Sequence, residues 1–166
     1  MAKRGRKREA GPVLAFESYG VRSSIRGVSD RQLDLIKSIL PPGWRECSPD
    51  IVDQRFAIES DPMLRWHLFR NDKRVTNASI EFDHLLLILE SQIRIYMAVH
   101  APDFIFVHAG VVAVDGGLLL LPGLSFAGKT TLVAALVKAG AVYYSDEYAP
   151  IDAKERASRC QSRKVG

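Results

Sequence analysis

Short runs of alternating apolar and polar residues fill much of the first eighty positions, which is the pattern of β-strands buried on one face. The runs lie at residues 13–19, 21–25, 55–59, 64–70 and 74–77. Gly20 separates the first two runs, and Asn71-Asp72 forms a turn between the last two. We therefore predict a small antiparallel sheet in this part of the chain.

Two segments carry apolar residues at helical spacing instead. Asp30 is a candidate N-cap for a helix that extends to Leu40, where the Pro-Pro-Gly sequence of residues 41–43 ends it. Residues 80–100 contain neither glycine nor proline and are rich in leucine and isoleucine. This pattern predicts one long, largely buried helix that ends before Pro102.

The pattern changes again after residue 103. Strands are predicted at residues 104–107, 111–114, 118–121 and 142–145, with an Asp-Gly-Gly turn at 115–117 and a helix over 129–139 that ends at Gly140. This helix is long enough to return the chain for a parallel strand. We therefore expect strands 118–121 and 142–145 to be parallel and to end at the same edge of a sheet.

The run from Gly123 to Thr130 has the sequence G-x-x-x-x-G-K-T and lies between a predicted strand and a predicted helix. Glycines let backbone N–H groups close around phosphate oxygens, Lys129 supplies positive charge, and the hydroxyl of Thr130 is a candidate Mg²⁺ ligand. The predicted phosphate-binding residues are Gly123, Leu124, Ser125, Phe126, Ala127, Gly128, Lys129, Thr130 and Thr131. The alternative is an ordinary turn in which Lys129 points into water.

Acidic residues follow the last predicted strand. Asp146 and Glu147 come directly after residue 145, and Asp152 is a second candidate nearby. If the strands are arranged as expected, Asp146 lies near the loop and is a ligand for the Mg²⁺ held by Thr130. The alternative is an acidic turn facing water.

His108 lies at the end of an apolar strand, where a histidine is somewhat more often structural than functional. The other histidines, His67, His84 and His100, have no ligand spacing and are interpreted as structural. Cys47 and Cys160 are far apart and match no zinc pattern, which favours a reducing cytoplasm.

The chain of 166 residues has a net charge of +4, but the charge is unevenly placed. Residues 1–9 and 153–166 are basic, whereas the segment between them is acidic overall. The tails contain no aromatic residue that would stack on bases, so nucleic acid is a disfavoured partner. No segment is apolar enough for a signal peptide or a bilayer span, so we expect no membrane association.

The block from Val107 to Asp152 resembles the C-terminal domain of HPr kinase/phosphorylase and its HPr-kinase-like relatives. The resemblance rests on the order of a strand with His108, a hairpin glycine, the loop from Gly123 to Thr130, one helix and the acid pair. It covers 46 of the 166 residues, from Val107 to Asp152, and says little about the first hundred. A similar glycine loop occurs in ATP-dependent phosphoenolpyruvate carboxykinases, which look like distant structural relatives.

The resemblance implies an ATP-dependent serine kinase that binds Mg²⁺ and transfers the γ-phosphate to a serine hydroxyl of a protein or peptide. By position, Asp146, Glu147 and His108 correspond to the catalytic residues, while Thr130 and Asp146 correspond to the metal ligands. The family usually has two aspartates, so Glu147 departs from the pattern and the roles of the two acids stay open. The phosphate acceptor, a reverse phosphorylase reaction and a homo-oligomeric state also stay open.

These features together predict an α/β protein with an α+β N-terminal part. The expected organisation is a basic disordered tail (1–11), an N-terminal α+β region (12–101), a P-loop kinase-like core (102–152) and a second basic disordered tail (153–166). The core is expected to be a nucleotide-binding sheet flanked by helices and incomplete at its C-terminus, because family members continue well beyond the acid pair. The alternative function is a catalytically incomplete module that binds nucleotide and has a regulatory role.

Overall fold

The computed structural model describes residues 12–27, 29–124, 127–145 and 148–153. The fold is mixed α/β, mostly sheet, with three helices in these residues. The chain divides into two compact units, with the boundary between His100 and Ala101. Both basic tails, Cys160, Ser125, Phe126 and the acid pair lie outside the described residues, apart from Ala153.

The strands and helices follow one another in the order expected from the sequence pattern, with two additional short strands. The strands are β1 (Val13–Ser18), β2 (Val21–Arg26), β3 (Arg45–Glu46), β4 (Gln54–Ser60), β5 (Trp66–Arg70), β6 (Lys73–Arg74), β7 (Phe104–Val107), β8 (Ala109–Val114), β9 (Gly117–Pro122), β10 (Val142–Ser145) and β11 (Ala149–Asp152). The helices are α1 (Asp30–Ile39), α2 (Phe82–His100) and α3 (Lys129–Lys138).

The first unit contains a six-stranded sheet in the order β3-β1-β2-β4-β5-β6. Its neighbouring strands are antiparallel except β2 and β4, which are parallel. The prediction of a wholly antiparallel sheet is therefore wrong at this pair. The reason is that α1 lies between β2 and β4 in the sequence and returns the chain to the starting edge.

The start of α1 differs from the prediction by one residue. Ser29, rather than Asp30, is the N-cap, and its backbone N–H donates to Oε1 of Gln32 over 2.9 Å. Asp30 has helical geometry, and its carboxylate lies in the first turn, where negative charge is favourable.

β5 begins at Trp66 and not at residue 64 as predicted, because a turn around Asp61 precedes it. Oδ1 of Asp61 accepts hydrogen bonds from the backbone N–H groups of Met63 at 2.9 Å and Arg65 at 3.0 Å, and Leu64 has a φ of 58°. These bonds, chiefly the one from Arg65, lower the pKa of Asp61 below its ordinary value.

The long helix predicted over residues 80–100 is confirmed as α2, but the prediction that it is largely buried is wrong, because Leu87, Ile95 and Val99 are exposed. One stripe of it is fully buried, and this stripe consists of Leu85, Leu89, Ile93 and Met97. The helix packs on the sheet face that contains Trp66 and Arg70, since Trp66 contacts Phe82 edge to face and Arg70 donates to Oε1 of Gln92. No helix in the described ranges combines the length and apolarity needed to cross a bilayer.

The second unit contains a three-stranded sheet in the order β10-β8-β9, a two-stranded sheet of β7 and β11, and α3. The predicted hairpin of β8 and β9 is confirmed, with Asp115 and Gly116 at φ values of 49° and 79° in its turn. Such positive values at both positions are typical of the tight turns that Asp-Gly sequences favour. The pairing of β7 with β11 was not predicted from the sequence.

Candidate phosphate-binding site

Two strands of the second unit end at the same edge of its sheet. Both β9 and β10 are antiparallel to β8, which lies between them, so they are parallel to each other. Pro122 at the end of β9 pairs with Ala109, and Ser145 at the end of β10 pairs with Val111. The chain therefore leaves both strands at one edge, as the sequence predicted, and His108 lies at this edge because it precedes β8.

The chain passes from β9 into α3 through the predicted loop. The N–H of Ala127 donates to the carbonyl of Leu124 over 3.2 Å, and Gly128 is the N-cap of α3 with a φ of 80°. A residue with a side chain rarely adopts this left-handed conformation. Glycine at position 128 therefore allows the loop to turn directly into the helix.

Lys129 folds back beneath the loop rather than extending into water. Its Nζ donates to the carbonyls of Gly123 and Leu124, both at 2.7 Å. A Cβ at position 123 would lie 3.5 Å from Cγ and Cδ of Lys129, an ordinary van der Waals distance, so the lysine stem packs closely against this position. An ammonium group has three donors, and described residues accept from two of them, so the third can bind a further acceptor at the loop.

The N-terminus of α3 has backbone donors without a partner inside the helix and a partial positive charge. Gly128 provides no side-chain cap, and the first turn contains no acidic residue. The N–H groups of Lys129, Thr130 and Thr131 have no partner within the helix. Helix N-termini of this kind favour anions, and the ammonium of Lys129 adds a full charge beside them.

The structure adds Tyr148 to the residues at this edge. The rings of Tyr148 and His108 lie 5.5 Å apart, and the N–H of Tyr148 donates to Oγ of Ser145 over 3.3 Å. This bond joins the residues on either side of Asp146 and Glu147, which themselves lie outside the described residues. The only sequence signal for Tyr148 was its place between the acid pair and an apolar segment.

Asp152 does not belong to this edge, contrary to the proximity expected from the sequence. It pairs with Phe104 at the far end of β11, whereas Ala149 at the near end pairs with Val107. Three residues of strand place it about 10 Å from the near end. Within the ranges that the structure describes, no three His, Cys, Asp or Glu side chains are grouped as a metal site would require.

Cys47 lies in the first unit, beside a cavity of about 190 Å³ that Leu33, Lys37 and Glu46 also line. Burial raises the pKa of its thiol above the ordinary value, with a further contribution from the carboxylate of Glu17. The reactive thiolate form is therefore disfavoured at this position.

Comparison of the chain with protein-family models, with curated proteins and with solved structures found no match.

Proposed function

We propose that this protein binds ATP and transfers its γ-phosphate to a serine hydroxyl of a protein or peptide, as an HPr-kinase-like kinase. The observation that carries the proposal is the position of Lys129, which bonds to two loop carbonyls at the N-terminus of α3. A glycine loop, a lysine and a helix N-terminus together form an arrangement suited to phosphate groups. A cytoplasmic location, where ATP is available, suits this activity.

In this proposal the loop residues bind the phosphates of ATP. Backbone N–H groups from Gly123 to Thr131 surround the phosphate oxygens, and the free donor of Lys129 binds the terminal phosphate. Thr130 and Asp146 would hold Mg²⁺, which neutralises the charge on the phosphates when it is bound. The exposed hydroxyl of Thr130 on the first turn of α3 fits this role.

The acid pair and His108 would serve the acceptor. The serine oxygen attacks the γ-phosphorus, the bond to the bridging oxygen of ADP breaks, and a carboxylate of Asp146 or Glu147 accepts the serine proton. The place of His108 at the same edge, against the ring of Tyr148, supports a role in orienting the acceptor.

An Asp146→Asn variant tests the transfer step. We expect phosphate transfer to fall by about 100-fold or more, because the carboxylate is lost, while ATP affinity changes by less than about 10-fold. Transfer is measured with radiolabelled ATP and serine peptides, and ATP affinity by calorimetry with Mg²⁺. Asp115→Asn in the hairpin turn is the matched control, since asparagine tolerates a φ of 49° and this turn lies at the other end of β9. Equal transfer by both variants would rule out the assigned role of Asp146.

A Gly128→Ala variant tests the loop conformation. A side chain at a φ of 80° costs about 1 kcal/mol, so we expect ATP affinity to fall by about 5-fold. Gly116→Ala is the control, because Gly116 in the hairpin turn has a φ of 79° and a Cβ there would also meet nothing within 4 Å. The control should keep its ATP affinity; a loss of the same size in both variants would contradict a local effect at the loop.

The second candidate function is a module that binds nucleotide without turning it over. Large apolar side chains of the second unit remain exposed, among them Leu124 at 84%, Val142 at 59% and Ile105 at 58%. This exposure is more typical of a unit that is completed by a partner than of a finished catalytic core. ATP binding without ADP formation, in the presence of candidate serine substrates, would favour this function.

A further inference from the structure

The six-stranded sheet of the first unit has a second face, opposite the one on which α2 packs. Side chains alternate between the faces of a strand, so partners in register share a face. Leu14, Phe16, Ile25, Phe56 and Leu68 occupy the helix-covered face and are buried. The alternating positions form what we call the outer face, which contains Arg22, Arg26, Arg45, Arg55 and Arg74.

One row of the outer face crosses four strands. In this row Arg26 pairs with Ala57, Ala57 pairs with Phe69, and Phe69 pairs with Arg74. Neighbouring strands lie about 4.8 Å apart, so the backbones at Arg26 and Arg74 are about 14 Å apart. The ring of Phe69 lies between them. The ring of Phe69 is half-buried, and the small side chain of Ala57 lies beside it. The row thus places one planar apolar ring between two guanidinium groups.

The acidic residues near the outer face form only weak ion pairs with its arginines. Glu17 contacts Arg22 at 2.9 Å and Arg45 at 3.9 Å, and Asp72 lies 3.7 Å from Arg26. Exposed ion pairs of this kind contribute at most about 1 kcal/mol, so a polyanion can replace them. Glu59 and Asp53 are further carboxylates on or beside this face.

Arg55 is the arginine most available to a ligand. Its side chain is exposed, and no carboxylate among the described residues lies within ion-pair distance of it. Its backbone is fixed by Asn71, whose Oδ1 accepts from the Arg55 N–H over 2.8 Å. The guanidinium group is thus presented from a central strand of the sheet, with no acidic partner among the residues that the structure describes.

We propose that the outer face binds single-stranded nucleic acid, with the arginines on phosphates and Phe69 stacked on a base. Guanidinium groups bind phosphate oxygens in a two-bonded, planar geometry and also stack on bases. Open sheet faces that present an aromatic ring among cations bind unpaired bases in this way. The sequence disfavoured nucleic acid because the basic tails lack aromatic residues; the folded sheet supplies the ring that they lack.

Binding of fluorescent 12-nucleotide oligouridine and oligothymidine to the full chain, followed by anisotropy over a series of salt concentrations, tests this proposal. Arg55→Glu should weaken binding by about 10-fold and reduce the slope of log K against log salt concentration by about one. Arg31→Glu on the exposed side of α1 makes the same charge change away from the face and should alter binding by less than about 2-fold. Arg55→Gln, which keeps the size of the side chain without reversing its charge, should give a smaller loss than Arg55→Glu.

Phe69→Leu separates base stacking from charge. This variant keeps an apolar side chain, so it should weaken binding by about 5-fold or more while leaving the salt dependence unchanged. Equal losses for Arg55→Glu and Arg31→Glu would overturn the proposal, as would binding that depends only on residues 1–9. Tighter binding of duplex DNA would also overturn it. The proposal would also be overturned if an acidic peptide displaced the oligonucleotides completely and bound the Phe69→Leu variant equally well. The ligand would then be a protein segment.

Discussion

The Lys129→Ala variant is expected to lose Mg²⁺-dependent ATP binding by about 100-fold or more. The ammonium group has two roles at the loop, since it joins the carbonyls of Gly123 and Leu124 and presents a third donor to a phosphate. A hydrogen bond to a charged group contributes about 1.5–3 kcal/mol, and each 1.4 kcal/mol changes affinity about tenfold. Loss of the two carbonyl bonds also removes the support of the loop. Isothermal titration calorimetry with ATP and excess Mg²⁺ measures the effect.

Lys138→Ala is the matched control for this variant. Lys138 is the last residue of the same helix and is exposed, so its removal changes the net charge equally but leaves the loop intact. We expect the control to bind ATP within about 2-fold of the unmodified protein, because surface charges at this separation are largely screened. If Lys129→Ala bound ATP as well as Lys138→Ala, the loop would not be a nucleotide site and both proposed functions of the second unit would fail.

Local features of the sequence predicted the strand that precedes this loop and the helix that follows it, which are β9 and α3. The pattern formed by Gly123, Gly128 and Lys129 lies within eight residues. It could therefore be read from the sequence without knowledge of any distant contact. The same is true of the hairpin turn at Asp115-Gly116, where the two residue types tolerate positive φ. The helix between β9 and β10 is long enough to return the chain across the sheet, so the two strands are parallel and end at one edge.

Pairing between distant segments could not be read from the sequence. β11 pairs with β7 across more than forty residues, and Pro150 within it weakens the strand pattern. The parallel register of β2 and β4 depends likewise on how α1 packs. The outer face of the sheet is the clearest case, because Arg22, Arg55 and Arg74 come from separated strands and become neighbours only in the folded sheet.

The position of α3, and with it the loop, depends on one glycine of the neighbouring strand. Gly110 in β8 is buried beneath the helix, and a Cβ there would lie 2.5 Å from Cγ2 of Val133, the one fully buried residue of α3. Valine is stiff at χ1 and cannot swing away, so the helix itself must move. We therefore expect Gly110→Ala to destabilise the packing of α3 on the sheet by roughly 1–3 kcal/mol.

Amide hydrogen exchange of peptides from β8 and α3 measures this loss directly, with an expected acceleration of about 10-fold or more. Gly117→Ala in the same hairpin is the control, since a Cβ there meets only the carbonyl of Val114 at an ordinary 3.6 Å. If the close contact is the cause, Val133→Ala should relieve part of the strain, and the double variant should be more stable than the sum of the single effects by about 1 kcal/mol. Strict additivity of the two substitutions would show that Gly110 and Val133 do not meet, and that the loop is positioned by other contacts.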